Sequence, residues 1–467
     1  MKVTQLNLPV MASWMESNGR RLDCNPYLSG GFEARVLLDK LDAPKQPMHE
    51  VTERIIHAGR EGRTYVNDPK HGVPFLGSTD ILAADLSWLP LLSKKQIDKK
   101  PQFTIQEGWT LITRSGTIGR MAYTRPDMAG MACSEHVLRV VPDRTKILPG
   151  YLYAYLSSRF GVALIVSGTY GSIIQHLEPS HIADLPVPRL GDALEQRIHN
   201  LITEAAELRT KASYEIRESI QMCLNAWGLS GDFRISKPNS PDTFIVSANK
   251  LNNRLDGFFH STPSQFSDSM LAQIGEKIPL CSLEELTQEI FETTRFGRVE
   301  VEESNGVAFL SISDLTRIDP KPDTYISKKQ AETVRAKVSK GWTVLPRVGQ
   351  LQGAFGNPAY IPSHLDQVAV SDNNIRIVPR SDVIDGYLFA ALSTPIGYWQ
   401  IIRQACGTSI PYTDANRLKQ ILLPLPQEEI CQKISDKVNF AMDKRSNAVL
   451  VEKQAIDLIE GMVSNTN

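Results

Sequence analysis

Polar and basic side chains occupy glycine-containing turns at two sets of positions along the chain. The first set is Arg60, Arg63, Arg114, Ser115, Thr117, Arg120, Tyr170, Ser172, Gln175 and His176. The second set is Arg295, Arg298, Arg347, Gln350, Gln352, Thr408, Ser409 and Tyr412. A guanidinium binds phosphate or guanine as a fork, glutamine pairs with adenine, and glycine lets a loop approach its ligand closely. A solvated turn is the simpler interpretation of any single position, but the two sets together predict contacts with double-stranded DNA.

Motifs of the common catalytic sites are missing from the sequence. It has no G-x-x-x-x-G-K-[ST] phosphate loop, no H-E-x-x-H zinc helix and no G-x-S-x-G nucleophile elbow. His176 and His181 form a near pair, but the matching residues in the second half of the chain are Tyr412 and Arg417. We therefore predict no catalytic residue and no metal or cofactor in this chain, which would not be an enzyme.

An adenine methyltransferase with weak motifs is the enzymatic alternative. The segments Asn25-Pro26-Tyr27 and Asn357-Pro358-Ala359-Tyr360 resemble the N-P-P-Y loop with which such enzymes hold the target nitrogen. Neither segment has the double proline, and neither follows a strand and a glycine-rich cofactor turn. A strand after a turn is the simpler interpretation of both segments.

Composition sets the class of protein. The 467 residues carry 51 basic and 52 acidic side chains, a formal charge of −1. This balance argues against a strongly basic nucleic-acid binder and leaves local basic patches open. The six cysteines contain no C-x-x-C pair, and no apolar run reaches the length of a membrane span. A cytoplasmic protein of two to four domains with reduced thiols is expected.

Short segments recur in the same order, 233 to 236 positions apart. The matched pairs are Arg21-Leu22-Asp23 with Arg254-Leu255-Asp256, Ser93-Lys94-Lys95-Gln96 with Ser327-Lys328-Lys329-Gln330, Gly108-Trp109-Thr110 with Gly341-Trp342-Thr343, Gly150-Tyr151-Leu152 with Gly386-Tyr387-Leu388, and Gln196-Arg197-Ile198 with Gln432-Lys433-Ile434. This spacing is about half the chain, so the sequence predicts a tandem duplication. Two copies are too few for a solenoid and suit pseudo-twofold symmetry.

Each copy ends in a long amphipathic segment. The first stripe is Leu194, Ile198, Leu201, Ala205, Leu208 and Ala212, continued after an extra step by Ile216, Ile220, Cys223 and Trp227. The second stripe is Ile430, Ile434, Val438, Ala441, Ala448, Ala455, Ile459 and Met462, with Arg445 and Glu452 interrupting it. Steps of four and three predict coiled-coil helices, each about 54 Å long at 1.5 Å per residue. A coiled-coil scaffold without DNA contacts is the alternative function that these helices leave open.

The ordered motifs resemble the specificity subunits of type I restriction–modification systems, or of a related methylation-linked defence system. The segments that carry the resemblance are Phe75 to Asp80, Thr113 to Arg120, Gly171 to Gln175, Ile182 to Pro188 and Glu195 to Ile198, followed by Gly407-Thr408-Ser409 and Leu418 to Pro426 in the second copy. The second copy lacks the S-G-T-I-G-R string of residues 115–120.

The resemblance implies an α+β fold with two mixed α/β target-recognition domains related by duplication. Two long antiparallel coiled-coil helices would separate these domains. The implied boundaries are a first recognition domain at 1–189, a first helix at 190–229, a second recognition domain at 230–424 and a second helix at 425–467.

The resemblance also implies a non-catalytic role. Each domain would read one half of a bipartite, asymmetric DNA target, and the helices would set the distance between the halves. The chain would dock two copies of an adenine-N6 methyltransferase subunit, which bind S-adenosylmethionine. Restriction or translocase subunits would join some assemblies, and no membrane would be involved.

Overall fold

The computed structural model describes residues 11–17, 30–167, 176–229, 233–235, 242–251, 254–320, 322, 324–351, 355–407 and 409–464. The chain divides into two compact units. The first contains Met1–Thr210 and Asn447–Asn467, and the second contains Lys211–Ser446. Each unit therefore contains a part of both long helices, and neither unit contains one whole long helix.

The described elements are short strands interspersed with helices. Strands of the first half are β1 (Lys45–Pro47), β2 (Thr52–Ile56), β3 (Tyr65–Val66), β4 (Gly72–Leu76), β5 (Leu91–Ser93), β6 (Thr110–Thr113), β7 (Met121–Tyr123), β8 (Ala132–Cys133), β9 (Val137–Pro142) and β10 (Pro186–Pro188). Strands of the second half are β11 (Leu280–Ser282), β12 (Thr287–Glu292), β13 (Gly306–Leu310), β14 (Thr324–Ser327), β15 (Thr343–Pro346), β16 (Ala359–Tyr360), β17 (Ala369–Val370), β18 (Asn374–Pro379) and β19 (Leu422–Pro424).

Most of the helices recur in the same order in both halves. Those of the first half are α1 (Ala12–Ser17), α2 (Gly31–Lys40), α3 (Met48–Val51), α4 (Lys94–Lys99), α5 (Pro149–Ser157), α6 (Arg159–Ser167), α7 (Pro179–Ile182) and α8 (Asp192–Ala226). Those of the second half are α9 (Thr262–Gly275), α10 (Ile312–Leu315), α11 (Lys328–Thr333), α12 (Asp382–Leu392), α13 (Pro395–Ile402), α14 (Ala415–Lys419) and α15 (Glu428–Ser464).

Sheet topology repeats between the two units. The strand order β2-β9-β6-β7 in the first unit corresponds to β12-β18-β15-β16 in the second, and β1-β10 corresponds to β11-β19. In both units one strand pairs in parallel, β4 with β8 and β13 with β17. Strand β2 and its equivalent β12 carry a register shift at the same place, between Thr52 and Arg54 in β2 and between Thr287 and Glu289 in β12. The predicted duplication and the mixed α and β fold class are confirmed.

The repeated Gly-Tyr-Leu segment lies where each globular part contacts its long helix. A Cβ atom on Gly150 would lie 2.7 Å from the His199 ring and 2.9 Å from its carbonyl oxygen. On Gly386 it would lie 2.6 Å from the Ser435 Cα. Only glycine permits this approach, because real Cβ atoms do not come so close to backbone.

The tyrosine of the same segment fixes the entry into the helix. Tyr151 Oη donates to the Pro188 carbonyl and Tyr387 Oη donates to the Pro424 carbonyl. Both side chains are 0 % exposed, and burial raises the pKa of both phenols well above the ordinary value. Each phenol therefore stays a donor, and it holds the last residue of β10 or β19 just before the long helix begins.

The buried seam of α8 differs from the predicted stripe. It runs through Ile198, Ile202, Ala205, Arg209, Ala212, Ile216, Ser219 and Cys223, all below 9 % exposure. Steps of four and three continue without interruption, so the predicted extra step was wrong. Leu201 and Leu208 are only half-buried. The sequence was misleading because two seam positions are polar.

Arg209 is buried on the seam because it has a buried partner. It forms an ion pair with Glu452 of α15, and both side chains are 7 % exposed. Glu452 also accepts from Tyr153 Oη at 2.7 Å. Glu452, one of the two residues that interrupt the predicted second stripe, is thus the partner of Arg209 on the buried seam of α8.

The two long helices run antiparallel within the second unit. Lys211 Nζ lies 5.4 Å from the Phe440 ring centroid. Seven residues further along α8, Glu218 Oε2 accepts from Lys437 Nζ at 2.6 Å. The contact positions rise along α8 while they fall along α15. Among the described residues, no helix combines the length and apolar character of a membrane span.

Replacing Tyr151 or Tyr387 by Phe should destabilise the full chain by about 1–3 kcal/mol in urea unfolding, because a buried carbonyl loses its donor. The matched control is Tyr214→Phe, since Tyr214 is 53 % exposed and its hydroxyl donates to Glu218. That change should stay within about 0.5 kcal/mol. Equal losses at all three positions would contradict the anchoring role.

The Arg209–Glu452 pair should show strong coupling in a double-mutant cycle. Arg209→Met alone should cost about 3–5 kcal/mol, because it leaves a buried carboxylate without its partner. Arg209→Met with Glu452→Gln should recover most of that loss in the same unfolding measurement, since it removes the unpaired buried charge and keeps an acceptor for Tyr153 Oη. Additive losses would show that the two side chains act independently.

Candidate nucleic-acid interface

An arginine of each unit lies over a buried phenylalanine. Arg63 Cζ is 4.9 Å from the Phe75 ring centroid, and Arg298 Cζ is 4.8 Å from that of Phe309. This cation–π contact orients the guanidinium without consuming its N–H donors. In the first unit Arg63 also bonds Glu135, with Nη2 2.8 Å from Oε2.

The first unit has a concave site beside this arginine. Its lining residues are His57, Arg60, Arg114, Glu135, His136, His176 and Glu178. Three predicted DNA contacts, Arg60, Arg114 and His176, therefore meet in one place. The four other residues were not predicted, because acids and histidines in separate segments carry no local motif.

Arg114 tethers one side of the site to the other. Its Nε donates to the Leu177 carbonyl at 3.0 Å, its Nη1 donates to the Glu135 carbonyl at 3.3 Å, and its Nη2 pairs with Glu178. The side chain is 11 % exposed. These are the contacts of a residue that positions segment 176–178, and a direct contact of Arg114 with DNA stays a prediction.

Ser115, Thr117 and Arg120 belong to a tight turn above the same site. Ser115 Oγ lies 2.8 Å from His136 Nδ1, and Ser115 forms an antiparallel bridge with His176. The turn needs glycine at 116 and 119, where φ is +76° and +82°. Thr117 is exposed and Arg120 is half-buried.

Electrostatics give the site both donors and acceptors. Burial lowers the pKa of His57, and the charge of Arg114 lowers it further, so His57 is neutral at pH 7. Burial alone would raise the pKa of Glu135, but hydrogen bonds and Arg63 outweigh it and the pKa is lowered. Arginine donors thus stand beside a carboxylate acceptor, the two groups that the edge of a base pair can engage.

A fully buried arginine supports the loop that carries Glu135 and His136. Arg139 donates to the carbonyls of Cys133 and Val137 on either side of that loop. In the second unit, Arg376 donates to Val370 O at 2.8 Å and to Asn374 O at 2.7 Å. Burial lowers the pKa of Arg376 to about 10, which leaves it protonated at pH 7. Neither arginine has an ion pair within the part of the chain that the structure describes.

The second unit repeats the backbone of the site with other side chains. Arg347 N donates to Asn373 O at 2.9 Å, as Arg114 N donates to His136 O at 3.0 Å. Val348 bridges Tyr412 as Ser115 bridges His176. The equivalent residues of the two units therefore share a frame and differ in chemistry, serine against valine and histidine against tyrosine.

A short hairpin presents Tyr412. Cys406 and Tyr412 exchange two backbone hydrogen bonds of 2.8 Å, and Gly407 has φ +88°. Tyr412 is 41 % exposed and Ile410 is 68 % exposed, next to exposed Ser409. Ile410 was not predicted, because an apolar residue in a loop gives no sequence signal of its position at a tip.

The remaining predicted residues divide into two groups. Arg60, Arg295, Arg298 and Gln350 are exposed, and the three arginines form no ion pair with any residue that the structure describes. Tyr170, Ser172, Gln175, Gln352 and Thr408 lie outside the described residues.

Two sequence motifs have structural roles. His181 Nδ1 accepts from Glu178 N at 3.1 Å and completes a capping box at the start of α7. Tyr360 is 5 % exposed, and its phenol donates to Asp385 Oδ2 at 2.7 Å. Its hydroxyl is thus engaged inside the core, away from any surface where a base could bind.

Replacing Arg114 by Ala should cost about 1.5–3 kcal/mol in chemical unfolding, because charge-assisted hydrogen bonds to segment 176–178 are lost. Hydrogen exchange at the Leu177 amide should accelerate in the same variant. Arg60→Ala is the control from the same site and should change stability by no more than about 0.5 kcal/mol. An unchanged Leu177 amide would contradict the tethering role.

The sequence matches no protein-family model and no curated protein. Solved structures similar to this chain include the type I restriction–modification S subunit from M. genitalium, with TM-score 0.38, 10 % identity and coverage of 91 % of this chain and 96 % of that one. The HsdS subunit from Thermoanaerobacter tengcongensis has a TM-score of 0.28 and 13 % identity, and the match covers 91 % of this chain and 97 % of that one. A structure described for complex assembly and conformational transition of the type I R-M system has a TM-score of 0.29 and 13 % identity, and the match covers 91 % of this chain and 98 % of that one.

Proposed function

We propose that this chain is a non-catalytic DNA specificity subunit that reads a bipartite, asymmetric target, one half-site with each unit. The observation that supports this is the repeated backbone frame with different side chains at equivalent loop positions. Ser115 and His176 stand where Val348 and Tyr412 stand in the second unit. A structural scaffold would have no use for two different sets of loop side chains on one frame.

The proposed division of labour follows from the contacts. The exposed arginines contact phosphates, which fixes the register of each unit on the duplex. They are Arg60, Arg63, Arg295 and Arg298. The side chains at the bridged loop positions, among them His176 and Tyr412, contact base edges and supply specificity. Arg114, Arg139 and Arg376 hold the loops in place from below.

Methylation is the proposed outcome of target binding. Two copies of an adenine-N6 methyltransferase subunit dock on the chain and bring S-adenosylmethionine, and restriction or translocase subunits join where the system cleaves DNA. The formal charge of −1 suits a subunit that shares phosphate contacts with its partners. The long helices set the distance between half-sites, and the complex acts in the cytoplasm.

Single-molecule sequencing of genomic DNA, from cells with and without this gene, tests the proposal. We expect N6-methyladenine to disappear from one split motif in the deletion strain and to return when the gene is restored. An unchanged methylome, in cells that express the partner methyltransferase, would contradict the proposal. Binding of S-adenosylmethionine by the purified chain would instead favour a self-contained methyltransferase.

Single substitutions should then affect one half-site each. His176→Ala should reduce discrimination by about 1–3 kcal/mol at the half-site read by the first unit, and Tyr412→Ala should do so at the other. Binding to targets with one base changed at a time measures this. Equal weakening on every target by either variant would show that the side chain contacts phosphate rather than a base.

A further inference from the structure

The last residue of each Ser-Lys-Lys-Gln segment, Gln96 or Gln330, makes the same pair of backbone hydrogen bonds in its own unit. Neither glutamine is among the proposed DNA contacts. Gln96 Oε1 accepts from Thr64 N at 3.0 Å, and its Nε2 donates to Gly62 O at 2.5 Å. One glutamine thus holds the backbone on both sides of Arg63.

The second unit repeats this contact. Gln330 Oε1 accepts from Val299 N at 2.9 Å, and its Nε2 donates to Gly297 O at 2.7 Å. The residue between the two bonded positions is Arg298. Both glutamines are half-buried, and each belongs to a short helix, α4 or α11, that directly follows strand β5 or β14.

The bonds fix a segment that has little other restraint. A Cβ atom on Gly62 or Gly297 would meet nothing within 4 Å, so packing does not hold the loop at that point. The next residue joins a strand, since Ser93 N donates to Thr64 O at 2.9 Å and Ser327 N to Val299 O at 3.0 Å. The glutamine side chain also bonds the residue before the arginine, so the backbone is held on both sides of it.

We propose that Gln96 and Gln330 are positioning residues that hold Arg63 and Arg298 in the conformation that contacts a DNA phosphate. This inference rests on the proposed DNA-binding function. Clamping both flanks of an arginine removes backbone freedom before binding, and a side chain that is ordered in advance loses less entropy when it engages its ligand. The glutamines hold the backbone of the two arginines, and stacking on Phe75 or Phe309 holds their guanidinium groups.

The two units should depend on their clamps to different degrees. Arg63 is also bonded to Glu135, whereas Arg298 has no ion pair among the residues that the structure describes. Gln330 is therefore the stronger restraint on its arginine. Loss of Gln96 leaves Arg63 partly held by the carboxylate.

The test measures binding of the full chain to a mixed-sequence DNA duplex by fluorescence anisotropy across a KCl series. Log K falls as log salt rises, and the slope compared here is the magnitude of that fall. Each lost phosphate contact lowers this slope by about 0.9. We expect Arg298→Ala and Gln330→Met each to lower the slope by about that amount. The double variant should fall no further, because both changes remove one contact. Gln96→Met should lower the slope by less.

Gln196→Met is the matched control, because Gln196 is exposed on α8 and its side chain bonds only to Asn200 in the described structure. It should leave the slope unchanged. Thermal unfolding of every variant separates a loss of fold from a loss of contact. If Gln330→Met lowers only the melting temperature, or if its effect adds to that of Arg298→Ala, the positioning role is wrong.

The outcomes separate this inference from the function on which it rests. If Arg298→Ala lowers the slope and Gln330→Met does not, the arginine contacts DNA and the clamp is not needed. If Arg298→Ala leaves the slope unchanged, Arg298 does not contact phosphate and the inference falls with that assignment. If the wild-type chain shows no salt-dependent binding to duplex DNA, the proposed function itself is contradicted.

Discussion

The structure depends on the close approach of each globular part to its long helix. Gly150 and Gly386 bring backbone against backbone, and the neighbouring tyrosines lock the prolines that precede the helix. This junction is rigid because it combines a position without a Cβ atom and a buried hydrogen bond. The loops of the candidate interface hold a defined place relative to the helix because this junction fixes the globular part against it.

Duplication of this rigid unit explains how one chain can hold two different surfaces. The main-chain bonds of Arg114 and Arg347 are the same, so the loops above them rest on equal supports. Backbone bonds do not depend on side-chain identity, and loop positions such as His176 and Tyr412 are therefore free to differ. Strand order and bulge position remain equal in the sheets β2-β9-β6-β7 and β12-β18-β15-β16, because a change there would disrupt the core.

Three buried arginines, Arg139, Arg376 and Arg209, lie at positions where only one arrangement of the surrounding groups satisfies their hydrogen bonds. Arg139 and Arg376 are surrounded by carbonyl oxygens, and Arg209 meets Glu452. Burying a charge is costly unless its hydrogen bonds are satisfied. Such groups add little net stability, but they penalise other packings. The first two define the loops of the candidate interface, and the third sets the register of the helix pair.

The sequence by itself determined the duplication, with its recurring Gly-Tyr-Leu segment, and the mixed fold, because identical residues at a constant spacing preserve identical local contacts. Only the tertiary structure showed that this segment contacts the long helix. Only the tertiary structure decided which polar residues are buried. Arg209 has the sequence character of a surface residue, and its partner Glu452 lies 243 positions away. The tether made by Arg114 and the clamp made by Gln96 were equally hidden, since their partners come from other segments. Local pattern shows what a residue can bond, whereas the fold alone decides which partner comes within reach.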